Sequence, residues 1–208
     1  NINLDLHEGE FTGLVGPSGS GKTTLLNIIG GLDAASEGTV RVLEQSLDNT
    51  THNERAKLRR KYMGFIFQSY NLLPVYTVSE NIELPLILNK VRPNERIKKV
   101  NQAIEWVGLS DKRDSKPNML SGGECQRTAI ARALVHQPVL VMADEPTANL
   151  DAENSHSIMK TLTTLNEELD TSFVFATHDE KIMGYLKRII RLEDGNIVKD
   201  EKIKKEET

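Results

Sequence analysis

Apolar positions along this chain fall into two kinds of run. Short, nearly unbroken apolar stretches occur at Phe11 to Val15 (FTGLV), Met63 to Phe67 (MGFIF), Pro138 to Asp144 (PVLVMAD) and Thr171 to Thr177 (TSFVFAT), and a shorter one with charged neighbours at Lys187 to Leu192 (KRIIRL). Stretches of this length read as strands, and continuous apolar character marks strands covered on both faces. Thr39 to Val42 (TVRV) reads as a further strand. Between them lie longer segments of mixed character. KTTLLNIIGGL reads as a helix stopped at Gly30 and Gly31, and NERAKLRRKY as a polar, basic helix. Glu153 to Leu169 reads as a third helix. From Ser69 the texture changes: residues 69–90 and 94–109 read as helices broken by Pro74, Pro85 and Pro93.

Strands alternating with helices predict an α/β fold, an open and mostly parallel sheet with helices on both faces. The helical stretch 69–137 is expected to form a second, helical lobe within a single domain spanning 1–208. Residues 1–68 and 138–208 would supply the core lobe. The tail from Asp200 (DEKIKKEET) is of mixed charge and is expected to be solvated and mobile.

Composition trims the function classes. The net charge of −4 opposes a nucleic-acid binder that relies on a general basic surface, so no nucleic-acid partner is expected. One cysteine, Cys125, rules out an intrachain disulfide and fits a reducing compartment. No apolar run approaches the ~20 residues of a membrane-spanning helix.

Chemistry enters at Gly16 to Thr23 (GPSGSGKT), which fills every position of G-x-x-x-x-G-K-[ST]. It follows a predicted strand and opens a predicted helix, the context this loop requires. Gly16, Pro17, Ser18, Gly19, Ser20 and Gly21 would wrap main-chain N–H groups around phosphate oxygens, with Thr24 just inside the helix. Lys22 would meet the β- and γ-phosphates, and the Thr23 hydroxyl would serve Mg²⁺. A nucleoside triphosphate with Mg²⁺ is therefore the expected ligand. Asp144 and Glu145 end an apolar strand, where side chains of such a sheet face the ligand crevice. Asp144 is placed to serve the Mg²⁺, and Glu145 to activate the attacking water.

A second helix start is odd. In MLSGGECQRTAIARAL, Ser121 is a good N-cap, yet Gly122 and Gly123 occupy the first turn. Each glycine costs roughly 1 kcal/mol there relative to alanine. A bare helix start is an anion site. Two phosphate-binding starts, at Gly21 and Ser121, are explained if two molecules share two nucleotides across a two-fold dimer.

Taken together these motifs resemble the nucleotide-binding domain of ATP-binding-cassette (ABC) transporters over essentially the whole chain. LSGGECQR, covering Leu120, Ser121, Gly122, Gly123 and Glu124, is similar to that family's signature motif. GPSGSGKT and VLVMADEP resemble its Walker A and Walker B elements. The resemblance implies that Gln68 is the Q-loop glutamine, a metal ligand with a part in catalysis. It implies that His178 is the switch histidine and that Asp151, in TANLD, belongs to the D-loop. It also implies a P-loop NTPase core with a small antiparallel β part. The implied activity is ATP hydrolysis by a subunit peripheral on the cytoplasmic face of a membrane, paired with a second ATPase subunit and driving a transmembrane permease.

IIGGLDAASEGTV, GFIFQSYNLLPVYTVSENIELPL and ADEPTANLD look most like the subfamily serving lipoprotein release, macrolide export and antimicrobial-peptide resistance. Within the family, an aromatic that stacks on adenine lies well upstream of Gly9. Only Ile2, Leu4, Leu6 and His7 stand near that position, so the resemblance implies a domain clipped at its N-terminus. Tyr70, Leu72, Leu73, Tyr76 and Leu86 are candidates for a groove that grips the permease, or for ordinary core. Trp106 is expected in the core with Ile97, Val100 and Ile104. Two other classes share this nucleotide core. DNA-repair and chromosome ATPases separate the two halves by long coiled coils, and translation factors join two cassettes. The compact chain fits the first class poorly, and residues 1–208 hold one cassette where the second class has two.

Overall fold

The computed structural model describes residues 2–48 and 50–203. Its main sheet has six strands: β1 (Phe11–Val15), β4 (Met63–Ile66), β5 (Leu140–Asp144), β6 (Ser172–Thr177), β7 (Arg188–Glu193) and β8 (Asn196–Lys202). Their order is β4-β5-β6-β1-β7-β8, parallel except for the antiparallel pairing of β8 with β7. A separate hairpin joins β2 (Arg41–Val42) to β3 (Gln45–Ser46). This is the mostly parallel α/β architecture expected, with a small antiparallel part.

Alternate strand residues feed two cores, as a pleat of period two requires. Phe173, Phe175, Val141 and Ala143 face one side; Val174, Ala176 and Met142 face the other. On the second side lie α1 (Lys22–Ile29) and α2 (His52–Tyr62), through Leu25, Leu26 and Leu58. On the first side lie α3 (Val78–Leu88), α4 (Pro93–Trp106), α5 (Gly122–Leu134), α6 (Ala152–Leu169) and the short α7 (Glu180–Met183). Phe11, Phe173 and Phe175 form an aromatic cluster there, with centroids 4.6–5.8 Å apart. Strands covered on both faces explain the unbroken apolar runs.

Several local expectations change. Pro85 lies inside α3 rather than ending it. Its missing N–H and its ring displace one helical bond, but the Asn89 N–H and Asn89 Nδ2 both donate to the Pro85 carbonyl and hold the last turn. Pro93 begins α4, at the helix position that loses nothing without an N–H. The TVRV strand shrinks to Arg41–Val42: the hairpin pairs only these two residues, and the Val40 N–H donates instead to the Asp48 side chain at 2.8 Å. The tail is only partly as expected. Asp200–Lys202 belongs to β8, where Arg188 binds Asp200 at 2.7–2.8 Å and Glu10 at 2.9–3.0 Å. Residues 204–208 of the tail lie outside the described residues.

Leu86 proves to be core, whereas Leu73 and Tyr76 are exposed. Val100 and Ile104 are buried, Trp106 packs against the same core from a partly buried position, and Ile97 is exposed.

Candidate nucleotide site

The sheet order explains how residues distant in sequence meet. Strands β4, β5, β6 and β1 are adjacent and parallel, so their carboxyl ends share one edge. Gln68 follows β4, Asp144 and Glu145 close β5, Thr177 and His178 close β6, and Gly16 follows β1. That edge is where open α/β sheets bind ligands.

The loop after β1 is shaped by its glycines. A Cβ on Gly16 would lie 2.1 Å from the Leu192 carbonyl oxygen, so no side chain fits. Gly21 caps α1 at φ 96 and offers no side chain to the first-turn N–H groups. Those groups are left open, as an anion site requires. Lys22 is buried, and its Nζ donates to the Gly16 and Pro17 carbonyls at 2.8 and 2.9 Å. The Ser20 Oγ is buried with no hydrogen-bond partner among the described residues.

Thr23 Oγ1 donates to Asp144 Oδ1 at 3.1 Å, joining the two Mg²⁺ candidates from β5 and α1. Burial pushes the Asp144 carboxyl above its usual range, and the neighbouring Glu145 adds to this; the Thr23 bond and Lys22 pull it down. A half-buried carboxylate beside a hydroxyl and a lysine fits a divalent cation shared with phosphate. Mg²⁺ takes one or two protein oxygens and leaves its other positions to water and phosphate. Among the described residues no dedicated cage of three metal-ligating side chains exists, and none is needed for that mode.

Glu145 is held on three sides. Its backbone is left-handed, φ 48, and its N–H donates to the Ala176 carbonyl at 2.9 Å. Its carboxylate accepts from Thr177 Oγ1 (3.2 Å), the His178 N–H (3.2 Å) and His178 Nδ1 (2.5 Å). The carboxylate is mostly buried, at 14% side-chain exposure, while the imidazole at 62% reaches into the open. Glu145 and His178 are thus one hydrogen-bonded unit. Gln68 is exposed, and its carbonyl accepts from Asn149 Nδ2 at 2.9 Å.

Ser121 is the N-cap of α5, as expected, and forms a capping box with Glu124. Ser121 Oγ accepts from the Glu124 N–H, and the Glu124 carboxylate accepts from the Ser121 N–H at 2.7 Å. Gly122 and Gly123, at the first two helical positions, have N–H groups without an intrahelical acceptor. The glycines also have a packing reason that the sequence did not show. A Cβ on Gly123 would come 2.7 Å from Asn154 Oδ1, and one on Gly122 would come 3.1 Å from the Tyr70 hydroxyl. Asp151 caps α6, accepting from the Asn154 N–H at 2.8 Å.

Lys22, Thr23, Asp144, Glu145 and His178 therefore gather at one edge. No hydrogen bond or ion pair among the described residues joins 120–124 to 16–24. Sequence reading passed over Asn149, Thr177 and Asn154, and offered Tyr70 only as a groove or core residue. Asn149 and Thr177 sit inside quoted motifs, yet their partners lie 81 and 32 residues away, beyond any local pattern.

Comparison with known proteins agrees with this architecture. Residues 1–148 match the family model described as ABC transporter. LolD, the ATP-binding protein of the lipoprotein-releasing system of Francisella tularensis, is 48% identical over 198 residues, covering 95% of this chain and 86% of its own. An uncharacterized ABC transporter ATP-binding protein of Methanocaldococcus jannaschii, MJ0796, is 43% identical, covering 98% and 88%. The dimeric post-hydrolysis structure of MJ0796 bound to ADP and Pi superposes with a TM-score of 0.90 at 42% identity, over 99% of this chain and 90% of that one. CbiO1 of Clostridium perfringens, part of the transporter complex CbiONQ, superposes with a TM-score of 0.87 at 30% identity, over 96% and 79%. The chain belongs to the ABC transporter family, as an ATP-binding, ATP-hydrolysing subunit.

Proposed function

We propose that this subunit hydrolyses ATP with Glu145 as general base and passes the resulting motion to a separate transmembrane permease. The observation that carries the reading is the unit formed by Glu145 and His178 at the strand edge, beside the Thr23–Asp144 pair and above the phosphate loop. Residues 16–24 bind the phosphates through main-chain N–H groups, and Lys22 exchanges its loop carbonyls for phosphate oxygens. Thr23, Asp144 and Gln68 would hold Mg²⁺, which would supply neutralisation of phosphate charge. Glu145 accepts a proton from water as that water attacks the γ-phosphorus. The bond from the γ-phosphorus to the bridging oxygen breaks, leaving ADP and phosphate. His178 orients the Glu145 carboxylate and the γ-phosphate side.

Residues 120–124 act on the nucleotide of a second subunit, with Asp151 at the contact between the two. The dimeric relative supports this, as does the lack, among the described residues, of a hydrogen bond or ion pair from 120–124 to the loop of the same chain. The helical lobe 69–137 and the core lobe 1–68 with 138–208 are the parts that move. The kinship with LolD favours export or extracytoplasmic work on lipoproteins, with peptides or drugs as the wider class. No described helix is long and apolar enough to cross a membrane, which accords with a subunit docked on the cytoplasmic face of one.

The test is Glu145→Gln. It should bind ATP as the unmodified chain does and lose roughly 10²- to 10⁴-fold in turnover, the range general-base removal gives. Retained turnover removes Glu145 from the role.

A further inference from the structure

We propose that Arg132 is a positioning residue for Gln68: from helix α5 it clamps the left-handed turn that sets where Gln68 sits. The proposal rests on the reading of Gln68 as a ligand of the nucleotide-bound Mg²⁺.

Two residues past Gln68 the chain enters an unusual conformation. Tyr70 and Asn71 both have positive φ, 62 and 49. Consecutive left-handed residues other than glycine are disfavoured and persist only where their surroundings hold them. The local bonds are from the Tyr70 N–H to the Phe67 carbonyl (3.0 Å) and from the Asn71 N–H to the Ser69 carbonyl (2.6 Å). The two outward carbonyls of the same turn converge on one side chain. Arg132 Nη2 donates to the Tyr70 carbonyl at 2.7 Å, and Arg132 Nη1 to the Asn71 carbonyl at 2.5 Å. A planar guanidinium serves two adjacent carbonyls at once; a lysine ammonium on its flexible stem does not hold that geometry.

Arg132 bears a cost for doing this. Burial disfavours its charge and pushes its pKa down. No carboxylate among the described residues lies within ion-pair distance of it. A partly buried cation held by main-chain carbonyls, with no carboxylate partner among the described residues, is a poor way to stabilise a core. It is an effective way to fix a turn.

The turn is fixed at both ends of the Gln68 segment. Asn149 holds the Gln68 carbonyl on one side and Arg132 holds the turn on the other. The Tyr70 hydroxyl also lies against Gly122 at the start of α5. The helix that presents Ser121 and Gly122 to one nucleotide therefore carries the clamp for Gln68 at another.

The experiment compares Arg132→Lys, Gln68→Ala and their combination in the full chain. Readouts are the thermal midpoint, ATP binding without Mg²⁺, and ATPase across a Mg²⁺ titration. Arg132→Lys should keep the midpoint and Mg²⁺-free binding. It should lower kcat by roughly ten- to a hundredfold, as misplacement by about an ångström does, and raise the Mg²⁺ needed for half activity. The double variant should lose no more than Gln68→Ala alone, since both changes remove the same ligand. Adding Asn71→Gly to Arg132→Lys should recover turnover, because glycine holds positive φ unaided. Losses that multiply in the double variant overturn the clamp, as does Arg132→Lys with an unchanged kcat and Mg²⁺ requirement. A lowered midpoint that Asn71→Gly leaves unrescued also overturns it, by making Arg132 a packing residue only. If Gln68→Ala by itself leaves turnover and Mg²⁺ dependence intact, the reading of Gln68 fails, and the clamp's purpose with it.

Discussion

Two side chains at the site carry charge whose partners decide what they do. Lys22 is buried and satisfied by two carbonyls of its own loop. Lys22→Ala should remove ATP binding and turnover together; a binding titration and an ATPase assay that part company would refute its phosphate role. Asp144 behaves oppositely. Burial lifts its pKa above the ordinary 3.8, so the folded chain holds a proton that the unfolded chain releases over the window between the two values. Folding stability therefore falls as pH rises through that window, and the deficit persists above it. Without Mg²⁺ or nucleotide, Asp144→Asn should raise the thermal midpoint at pH 7. Below pH about 3.8 it should leave the midpoint unchanged, both forms then being neutral. A midpoint gain independent of pH would point to packing instead.

At the scale of elements, the Ser121 cap was read from the sequence, the Thr51 and Thr77 caps were passed over though their pattern is local, and strand pairings were not legible. Ser121 with Glu124 stands three residues apart in sequence and forms its box in space; Thr51 with Glu54 and Thr77 with Glu80 do the same. Capping is a local interaction, so a local pattern reveals it. Thr51→Ala should cost about 1 kcal/mol in urea unfolding and leave the ATPase unchanged, since α2 supplies no site residue. By contrast, β3 and β8 went unseen. The β2–β3 turn uses Leu43 and Glu44 at positive φ, where a pattern search expects Asn-Gly or Asp-Gly. Strand β8 reads as charged tail because its exposed residues, Asn196 to Lys202, are largely polar. Its place is fixed by the antiparallel ladder with β7 and by Arg188, at the start of that neighbouring strand, reaching Asp200. The site shows the same division. The phosphate loop and Asp144–Glu145 are contiguous motifs, and the strand edge that assembles them follows from strand order. Arg132 and Asn149 act across 61 and 81 residues, and no spacing rule reaches that far.

At the scale of the molecule, the two bare helix starts belong to one proposal that needs two chains. Glu145→Gln with Mg-ATP should accumulate a dimer on size-exclusion chromatography. Adding Ser121→Arg should return it to a monomer while leaving ATP affinity within about twofold, because the phosphate loop is intact; a twofold change is below half a kcal/mol. If Ser121→Arg weakens monomer binding as much as Lys22→Ala, the shared-nucleotide dimer is wrong. The shape of the phosphate loop has one more consequence. Its lysine is already ordered on the Gly16 and Pro17 carbonyls. Arrival of a triphosphate is then a swap of partners around a finished cradle, with no segment left to fold. Titration calorimetry over a range of temperatures should show a shallow slope of enthalpy against temperature, well short of the heat-capacity change that accompanies ordering and burying 1,000 Å² or more.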